Sequence, residues 1–204
     1  MSEQRTDTAG LVLDGVVTAR AGVNIALIKY WGKAPARGPH EANLPACPSL
    51  SLTLDGLGTE TRARFAPDAD DDVVILDGAA LSGPGLDRMR PVLDRVRLLA
   101  DVAAPFFVET TNSVPTAAGL ASSASGAAAL AAATARCAGL AVSDGALSAI
   151  ARLGSGSGSR SIFGGWAAWD GPEARPLHPP NHWDVAIVVA MISTARKAIS
   201  SRDA

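Results

Sequence analysis

Residues 110–126, with the sequence TTNSVPTAAGLASSASG, join a turn to the start of an alanine-rich run that contains several serines. The first turn of a helix presents unpaired backbone N–H groups and a partial positive charge, which suits a phosphate. Gly119 lets the backbone approach such a ligand, and the hydroxyls of Ser122, Ser123 and Ser125 add hydrogen-bond donors or metal contacts. Because every helix needs a cap, a serine-capped helix without a ligand explains the same pattern.

A second segment, 24–33, has the sequence NIALIKYWGK and brings two lysines and a tyrosine to the end of an apolar run. Lys29, Tyr30 and Lys33 can together hold an anionic, partly apolar ligand. The alternative is a strand end at which surface lysines lay their alkyl chains around a packed Trp31. The segment by itself does not decide between these interpretations.

A third segment, 154–165, has the sequence GSGSGSRSIFGG and is called the Gly/Ser segment below. Such a composition is typical of a flexible linker. However, Arg160 lies within the run, and helical and strand patterns border it closely on either side. Successive glycines and serines can instead form a backbone nest for an anion, with the Arg160 guanidinium as its fork.

Several other kinds of site are excluded by the sequence. The Gly/Ser segment is not a Walker A loop, because Ser159 and Arg160 stand where that loop requires Gly and Lys. No GxSxG motif occurs, and the three histidines are scattered without the spacing of metal ligands. Cys47 and Cys137 are far apart and do not indicate a disulfide framework.

Composition predicts a globular protein, since 48% of the 204 residues are hydrophobic and 19% are charged. A net charge of -2 argues against general binding to nucleic acid, whose phosphates require a basic excess. The polar N-terminus lacks an apolar signal core, and no apolar run is long enough for a membrane span. We therefore expect a cytoplasmic protein without a membrane partner.

The elements that must position the three segments follow from hydrophobic periodicity, and they indicate an α+β fold. An acidic run at 68–72 is predicted as a solvated turn, LDG at 76–78 as a hairpin turn, and Ser143 as a helix N-cap. The predicted strands are 16–28, 49–54, 59–65, 73–76, 106–109, 162–169 and 185–192, and the predicted helices are 87–100, 122–138 and 144–153.

Taken together, the three segments resemble the GHMP small-molecule kinase superfamily, and within it the diphosphomevalonate decarboxylases. PTAAGLASSA at 115–124 fits the superfamily signature P-x-x-x-G-L-x-S-S-A, whereas NIALIKYWGK and GSGSGSRSIFGG are much narrower motifs and together are similar to the decarboxylase branch. The resemblance runs from Val17 to the last residue. It implies a ribosomal protein S5 domain 2-like N-terminal domain over 15–204, after a flexible terminus over 1–14.

Such enzymes bind ATP, Mg²⁺ and mevalonate 5-diphosphate in one cleft, and they are commonly homodimers. They phosphorylate the tertiary 3-hydroxyl, after which phosphate and CO2 leave and isopentenyl diphosphate remains. Because departure of phosphate builds positive charge at the tertiary carbon, such an enzyme must hold the diphosphate firmly and stabilise changing charge.

The resemblance also implies roles for individual residues. Lys29 and Lys33 are expected to be catalytic, as charge stabilisers. The expected substrate contacts are Asn24, Tyr30, Trp31, Gly32, Lys33, Arg88, Ser155, Gly156, Ser157, Gly158, Ser159, Arg160, Ser201 and Arg202. The expected ATP contacts are Pro115, Ala118, Gly119, Leu120, Ser122, Ser123 and Ser125, of which Ser122 and Ser123 are also the expected Mg²⁺ ligands.

One part of the family pattern has no counterpart here. The family's general base is an aspartate in a segment like Met-Asp-Ala-Gly-Pro-Asn, and no such segment occurs. We therefore expect a fragment whose C-terminal domain is missing, since the serine-arginine motif at 201–202 also stops early. The alternatives are an enzyme acting on mevalonate 5-phosphate, a mevalonate 3-kinase, an inert nucleotide- or anion-binding fragment, or an unrelated scaffold with a Gly/Ser linker. Lys33 together with Arg160 favours the diphosphate enzyme.

Overall fold

A seven-stranded mixed sheet and four α-helices make up the fold in the computed structural model, which describes residues 15–113 and 122–188. The α+β prediction is confirmed, while the expected division at 15 stays a prediction. The strands are β1 Val17–Ile28, β2 Ser49–Phe65, β3 Val73–Leu76, β4 Ala79–Ala80, β5 Phe106–Asn112, β6 Trp166–Trp169 and β7 Ala174–His178. The helices are α1 Pro84–Asp87, α2 Arg90–Ala100, α3 Ser122–Cys137 and α4 Asp144–Gly154, and three 3-10 turns span Pro39–Glu41, Gly156–Ile162 and Pro180–His182.

Strand β2 organises the sheet, whose path is β4-β3-β5-β2-β6-β7 with β1 paired alongside β2. Its C-terminal half pairs with β5 and its N-terminal half with β6, both antiparallel, whereas β3 and β5 are parallel. Between the two halves, β2 has a bulge in which residues 54–57 have no partner in the register with β1. The backbones are so close there that a Cβ at Gly22 would lie 2.7 Å from the carbonyl oxygen of Leu54.

Helix α3 is the centre of the core and packs against β1 and β2, while α2 and α4 pack against α3. Most of its alanines are fully buried, and the core is completed by aliphatic residues of α2 and the stacked rings of Phe65 and Phe106. Alanine favours a helix and its small side chain permits a close approach of neighbouring backbone. The sheet and the Gly/Ser segment can therefore both lie directly on this helix.

Several local predictions are confirmed by the structure. Strand β3 has the predicted bounds, and α3 and α4 each differ from theirs by one residue at the C-terminal end. Ser143 caps α4 by accepting a hydrogen bond from the N–H of Ala146 at 3.2 Å. Asp77 and Gly78 both have positive φ, at 50° and 82°, as a tight β3–β4 hairpin requires.

Other local predictions are wrong. The strands predicted at 49–54 and 59–65 are one bulged strand, and the helix predicted at 87–100 is broken before Arg90, because a proline occupies the first turn of α2. Of the strand predicted at 162–169, residues 162–165 belong to a turn and only 166–169 form a strand. Strand β7 was not predicted. Of the strand predicted at 185–192, residues 185–188 form no strand and 189–192 lie outside the described residues. Asp72 is buried and paired with Arg97, so the acidic run is only partly solvated.

Candidate functional site

The side chain of Arg160 is the centre of a buried polar cluster, although arginine is rarely buried without an ionic partner. It is 1% exposed. Its Nε donates to Ser51 Oγ at 2.9 Å, Nη1 donates to Ser49 Oγ, and Nη2 donates to Asn24 Oδ1 at 3.4 Å. Burial lowers the pKa of the guanidinium to about 10, so the group is still a cation at neutral pH. All three of these partners are neutral.

Two aromatic rings lie beside this guanidinium. The Cζ atom of Arg160 is 5.8 Å from the ring centroid of Tyr30 and 5.7 Å from that of Trp169, at the outer range of a cation–π contact. The two rings meet edge to face, with centroids 4.9 Å apart. The tyrosine of the second segment and the arginine of the third, predicted to serve one ligand, therefore occupy one place in the structure.

The Gly/Ser segment is a packed turn, and the interpretation of it as a flexible linker is wrong. Its residues from Gly156 to Ile162 form a 3-10 helix that is largely buried. A Cβ at Gly156 would lie 2.9 Å from the Tyr30 hydroxyl, and one at Gly158 would lie 3.0 Å from the Cβ of Ala127 on α3. The glycines therefore permit the close approach of the segment to the tyrosine on one side and to α3 on the other.

Asn24 joins this turn to β1. Its amide nitrogen donates to the carbonyl oxygen of Ser157 at 2.9 Å and to Ser161 Oγ at 2.7 Å. The hydroxyls of Ser155 and Ser157 are 3.3 Å apart, whereas the buried hydroxyl of Ser159 has no hydrogen-bond partner among the described residues. Asn24, expected from the resemblance to contact substrate, is 3% exposed and contacts the Gly/Ser segment directly.

The residues on either side of Tyr30 in the second segment are exposed. Lys29, Trp31, Gly32 and Lys33 all have exposed side chains or backbone, and Trp31 is 75% exposed. Gly32 has a φ of +73°, which favours glycine, and Lys33 pairs with Pro45 in an isolated antiparallel bridge. The chain thus turns sharply after Tyr30, and both ammonium groups lie on the surface.

Sequence reasoning missed two residues, Arg152 and Asn43, whose hydrogen bonds join residues 40–43 to α4. Arg152, which is 3% exposed, donates to the carbonyl oxygens of His40, Ala42 and Pro172. Asn43 donates in return to the carbonyls of Arg152 and Leu153 at the end of α4. A lone arginine in a helical pattern reads as a solvated face, so no local signal pointed to this contact.

The start of α3 carries the serines of the first segment. Ser122 is half-buried and Ser123 is exposed, but Ser125 is fully buried and within 2.8 Å of Thr59 Oγ1 on β2. Arg88 is exposed and caps the short helix α1, so it lies in the break between two helices and not on the predicted amphipathic helix. The expected site residues outside the described ranges are Pro115, Ala118, Gly119, Leu120, Ser201 and Arg202.

An open cavity of about 820 Å³ lies elsewhere, on the sheet between β1, β2 and β5. It is lined by charged side chains that include Arg20 and Glu60, which form an exposed ion pair at 2.6 Å, and it extends to Asn112 and Ser113. None of the expected site residues lines it. The convergence of buried polar groups at Arg160 makes that cluster the better candidate for ligand chemistry.

Within residues 15–113 and 122–188, no helix is long and apolar enough to cross a membrane. The same ranges contain no group of three or more histidine, cysteine, aspartate or glutamate side chains that could hold a metal ion.

Comparisons with known proteins agree with the geometry. The profile of a family described as diphosphomevalonate decarboxylase-like N-terminal domain matches residues 21–175. The chain is 38% identical to the diphosphomevalonate decarboxylase of Homo sapiens over 208 residues, an alignment that covers 90% of this chain and 50% of the human protein. The enzyme of Schizosaccharomyces pombe is also 38% identical, with 90% and 52% covered.

Solved structures give the same result. The mevalonate diphosphate decarboxylase of Enterococcus faecalis has a TM-score of 0.73 and 47% identity, covering 82% of this chain and 53% of that one. The Staphylococcus aureus enzyme has a TM-score of 0.74 and 43% identity, covering 82% and 51%. Another structure, with a TM-score of 0.73 and 47% identity, is a complex with MVAPP, AMPPCP and magnesium.

The chain spans about half the length of the curated relatives that it matches. The family profile nevertheless covers well over half of the chain, and the second and third segments, which carry the narrower part of the resemblance, meet at the buried Arg160 cluster. The chain therefore belongs to the family of diphosphomevalonate decarboxylase-like N-terminal domains.

Proposed function

We propose that this chain contributes substrate binding and charge stabilisation to the ATP-dependent decarboxylation of mevalonate 5-diphosphate, which yields isopentenyl diphosphate, ADP, phosphate and CO2. The observation that carries the proposal is the buried Arg160 cation, whose described hydrogen-bond partners are all neutral. A buried charge without a counter-charge is costly, and an anionic ligand supplies the missing charge. A solved relative was determined with MVAPP, which supports mevalonate diphosphate as that ligand.

In this proposal, each residue of the cluster has its own role in binding the substrate. The Arg160 guanidinium binds an anionic group of the substrate, and its planar fork suits a carboxylate or a phosphate. Tyr30, which lies against Trp169, provides a phenol and an apolar edge beside that group. Lys29 and Lys33, which are exposed and flank Tyr30 in the sequence, add ammonium groups that favour the negative charge of a diphosphate. These three cations favour the diphosphate over the monophosphate, because the diphosphate carries about one more negative charge.

The start of α3 is the proposed site for the phosphates of ATP and for Mg²⁺. The donor set fits them, because Ser122 and Ser123 bring hydroxyl oxygens to a helix N-terminus and Mg²⁺ prefers oxygen ligands. ATP, when bound, supplies the phosphoryl group that converts the tertiary hydroxyl of the substrate into a good leaving group. Gly158 packs the Gly/Ser segment against the first turns of α3, which holds the two proposed sites next to one another.

The test measures ADP and isopentenyl diphosphate together, using ATP, Mg²⁺ and one of three substrates: mevalonate 5-diphosphate, mevalonate 5-phosphate or mevalonate. We expect the parent chain to bind the diphosphate more tightly than the other two substrates, any turnover of it to give equal amounts of both products, and Arg160→Gln to lose both the binding and the products. Arg136→Gln is the matched control, because Arg136 is exposed in the last turn of α3. ADP without isopentenyl diphosphate would indicate a 3-kinase, and failure of the parent chain to bind the diphosphate would overturn the proposal.

A homodimer and a cytoplasmic location belong to the same proposal. Support for both comes from the resemblance to the decarboxylase branch. Light scattering at several protein concentrations measures the mass in solution, and a constant monomer mass would contradict the proposed dimer.

A further inference from the structure

Two serines on β2, which are distant from Arg160 in the sequence, contact its guanidinium. Ser49 and Ser51 are two residues apart on a strand, so their side chains point to the same face of the sheet. They are 3% and 0% exposed. Their hydroxyls accept hydrogen bonds from Nη1 and Nε of Arg160, across 111 and 109 residues of chain. The three segments on which the resemblance rests do not include this strand.

Two N–H groups of the guanidinium have no hydrogen-bond partner among the described residues. An arginine side chain has five N–H groups. The bonds to Ser51, Ser49 and Asn24 use one N–H on each of the three nitrogens. Within the described residues, the two N–H groups that remain are on the terminal nitrogens, one on each. Each of these can donate a hydrogen bond to an oxygen of an anionic ligand.

The hydroxyls also leave the charge of Arg160 unneutralised. None of the ion pairs formed by the described residues includes Arg160. A hydroxyl accepts a hydrogen bond and thereby fixes an N–H group, but it contributes no negative charge. A carboxylate at either position would fix the side chain equally well and would remove the electrostatic reason for binding an anion.

We propose that Ser49 and Ser51 are positioning residues: they orient the Arg160 guanidinium through Nε and Nη1 and keep its charge available for the anionic group of the substrate. The identity of the anion rests on the proposed function, whereas the orientation of the side chain does not. The role is distinct from simple stabilisation of the fold, because it predicts that a carboxylate in place of Ser51 preserves the melting temperature and yet weakens binding of the anion.

The first measurement follows the side chain itself and needs no ligand. We expect the ¹⁵Nε–¹Hε resonance of Arg160 to be visible and slowly exchanging in the parent chain and broadened or lost in Ser51→Ala. Circular dichroism and melting temperature show whether each variant folds, and Ser49→Ala provides a second, independent removal. An unchanged Arg160 resonance in folded Ser51→Ala would overturn the proposed orientation.

The second measurement is the Kd for mevalonate 5-diphosphate by calorimetry. We expect Ser51→Ala to bind about tenfold more weakly, as the loss of one fixing hydrogen bond implies, and Ser51→Asp to bind about 100-fold more weakly because its carboxylate neutralises Arg160. Ser51→Asp is expected to retain or exceed the parent melting temperature. A merely structural serine predicts the reverse, namely that the restored partner in Ser51→Asp also restores binding.

Thr61→Val is the matched control, because Thr61 is fully buried on the same strand and its hydroxyl lies 2.9 Å from that of Thr110. It should lower the melting temperature without a change in Kd. Equal Kd values for the parent and both Ser51 variants would refute the positioning role. A parent chain that fails to bind mevalonate 5-diphosphate would refute the proposed function, while the Arg160 resonance would still decide the orientation.

Discussion

The substitution Asp72→Ala tests whether one buried carboxylate holds β3, α2 and β5 together. The Asp72 side chain is 1% exposed and accepts hydrogen bonds from both terminal nitrogens of Arg97, at 2.7 and 2.9 Å. It also accepts from the backbone N–H of Phe106 at 2.8 Å. Removing one partner of a buried ion pair costs about 3–5 kcal/mol, and leaving a buried N–H unpaired costs about 1–3 kcal/mol.

These two costs are not fully additive here. Arg97 keeps its ion pair with Asp94 at 2.6 Å, and its own side chain is 18% exposed, so water reaches the guanidinium after the substitution. We therefore expect the free energy of unfolding to fall by about 3 kcal/mol, near the lower end for a buried pair.

Equilibrium unfolding in urea, followed by circular dichroism, measures this change. The neighbouring Asp71 provides the control. Its carboxylate is 59% exposed and pairs at 2.6 Å with Arg90, which lies on α2 like Arg97. Solvent screens such a pair, so Asp71→Ala should leave the urea midpoint almost unchanged. If the two variants lost the same stability, burial would not decide the strength of these ion pairs and the reasoning would be wrong.

Three further predictions concern stability. Gly156→Ala should destabilise the fold by about 1–3 kcal/mol, because the new methyl group would press on the Tyr30 hydroxyl. Gly126→Ala, in the interior of α3, should stabilise the fold by about 0.5–1 kcal/mol, because its methyl group meets nothing within 4 Å. Urea unfolding of both variants measures the two changes. Burial raises the pKa of the Cys137 thiol from 9.0 to about 11. The unfolded chain loses this proton first, so the free energy of unfolding should fall between pH 9 and 11 and fall less in Cys137→Ala, as measured by unfolding at each pH. Ser143→Ala should cost about 1 kcal/mol by removing the N-cap of α4, and an unchanged melting temperature would show that water replaces the cap.

Local chemistry explains which elements could be predicted from the sequence. The alanine run of α3, the serine cap of α4 and the Asp-Gly turn between β3 and β4 each carry their signal within a few residues. The single strand β2 could not be predicted, because Gly56 and Gly58 read as a turn when the neighbouring β1 is not seen. Asp72 was likewise assigned to a solvated acidic run, since only the fold brings Arg97 and Phe106 to it.

Some residues of the candidate site could be predicted from the sequence, and others could not. Arg160 was identifiable because an arginine within a glycine- and serine-rich run is conspicuous, and Tyr30 because it lies between two lysines. Ser49 and Ser51 were not, since an alternating strand reads as an ordinary half-buried edge and their contact with Arg160 spans more than a hundred residues. The roles expected for Lys29, Lys33 and the serines of α3 remain predictions.

The pairing of β2 with β6 has a consequence for how the chain is made. Ser49 lies opposite Trp169, so the N-terminal half of β2 leaves the ribosome 120 residues before its partner does. At a synthesis rate of about 5–20 residues per second, this strand edge is open for on the order of ten seconds. During that time its unpaired backbone can join a strand of another chain. We therefore expect the nascent chain to depend on chaperones at this stage, and its anion site to appear only when the last part of the sheet closes.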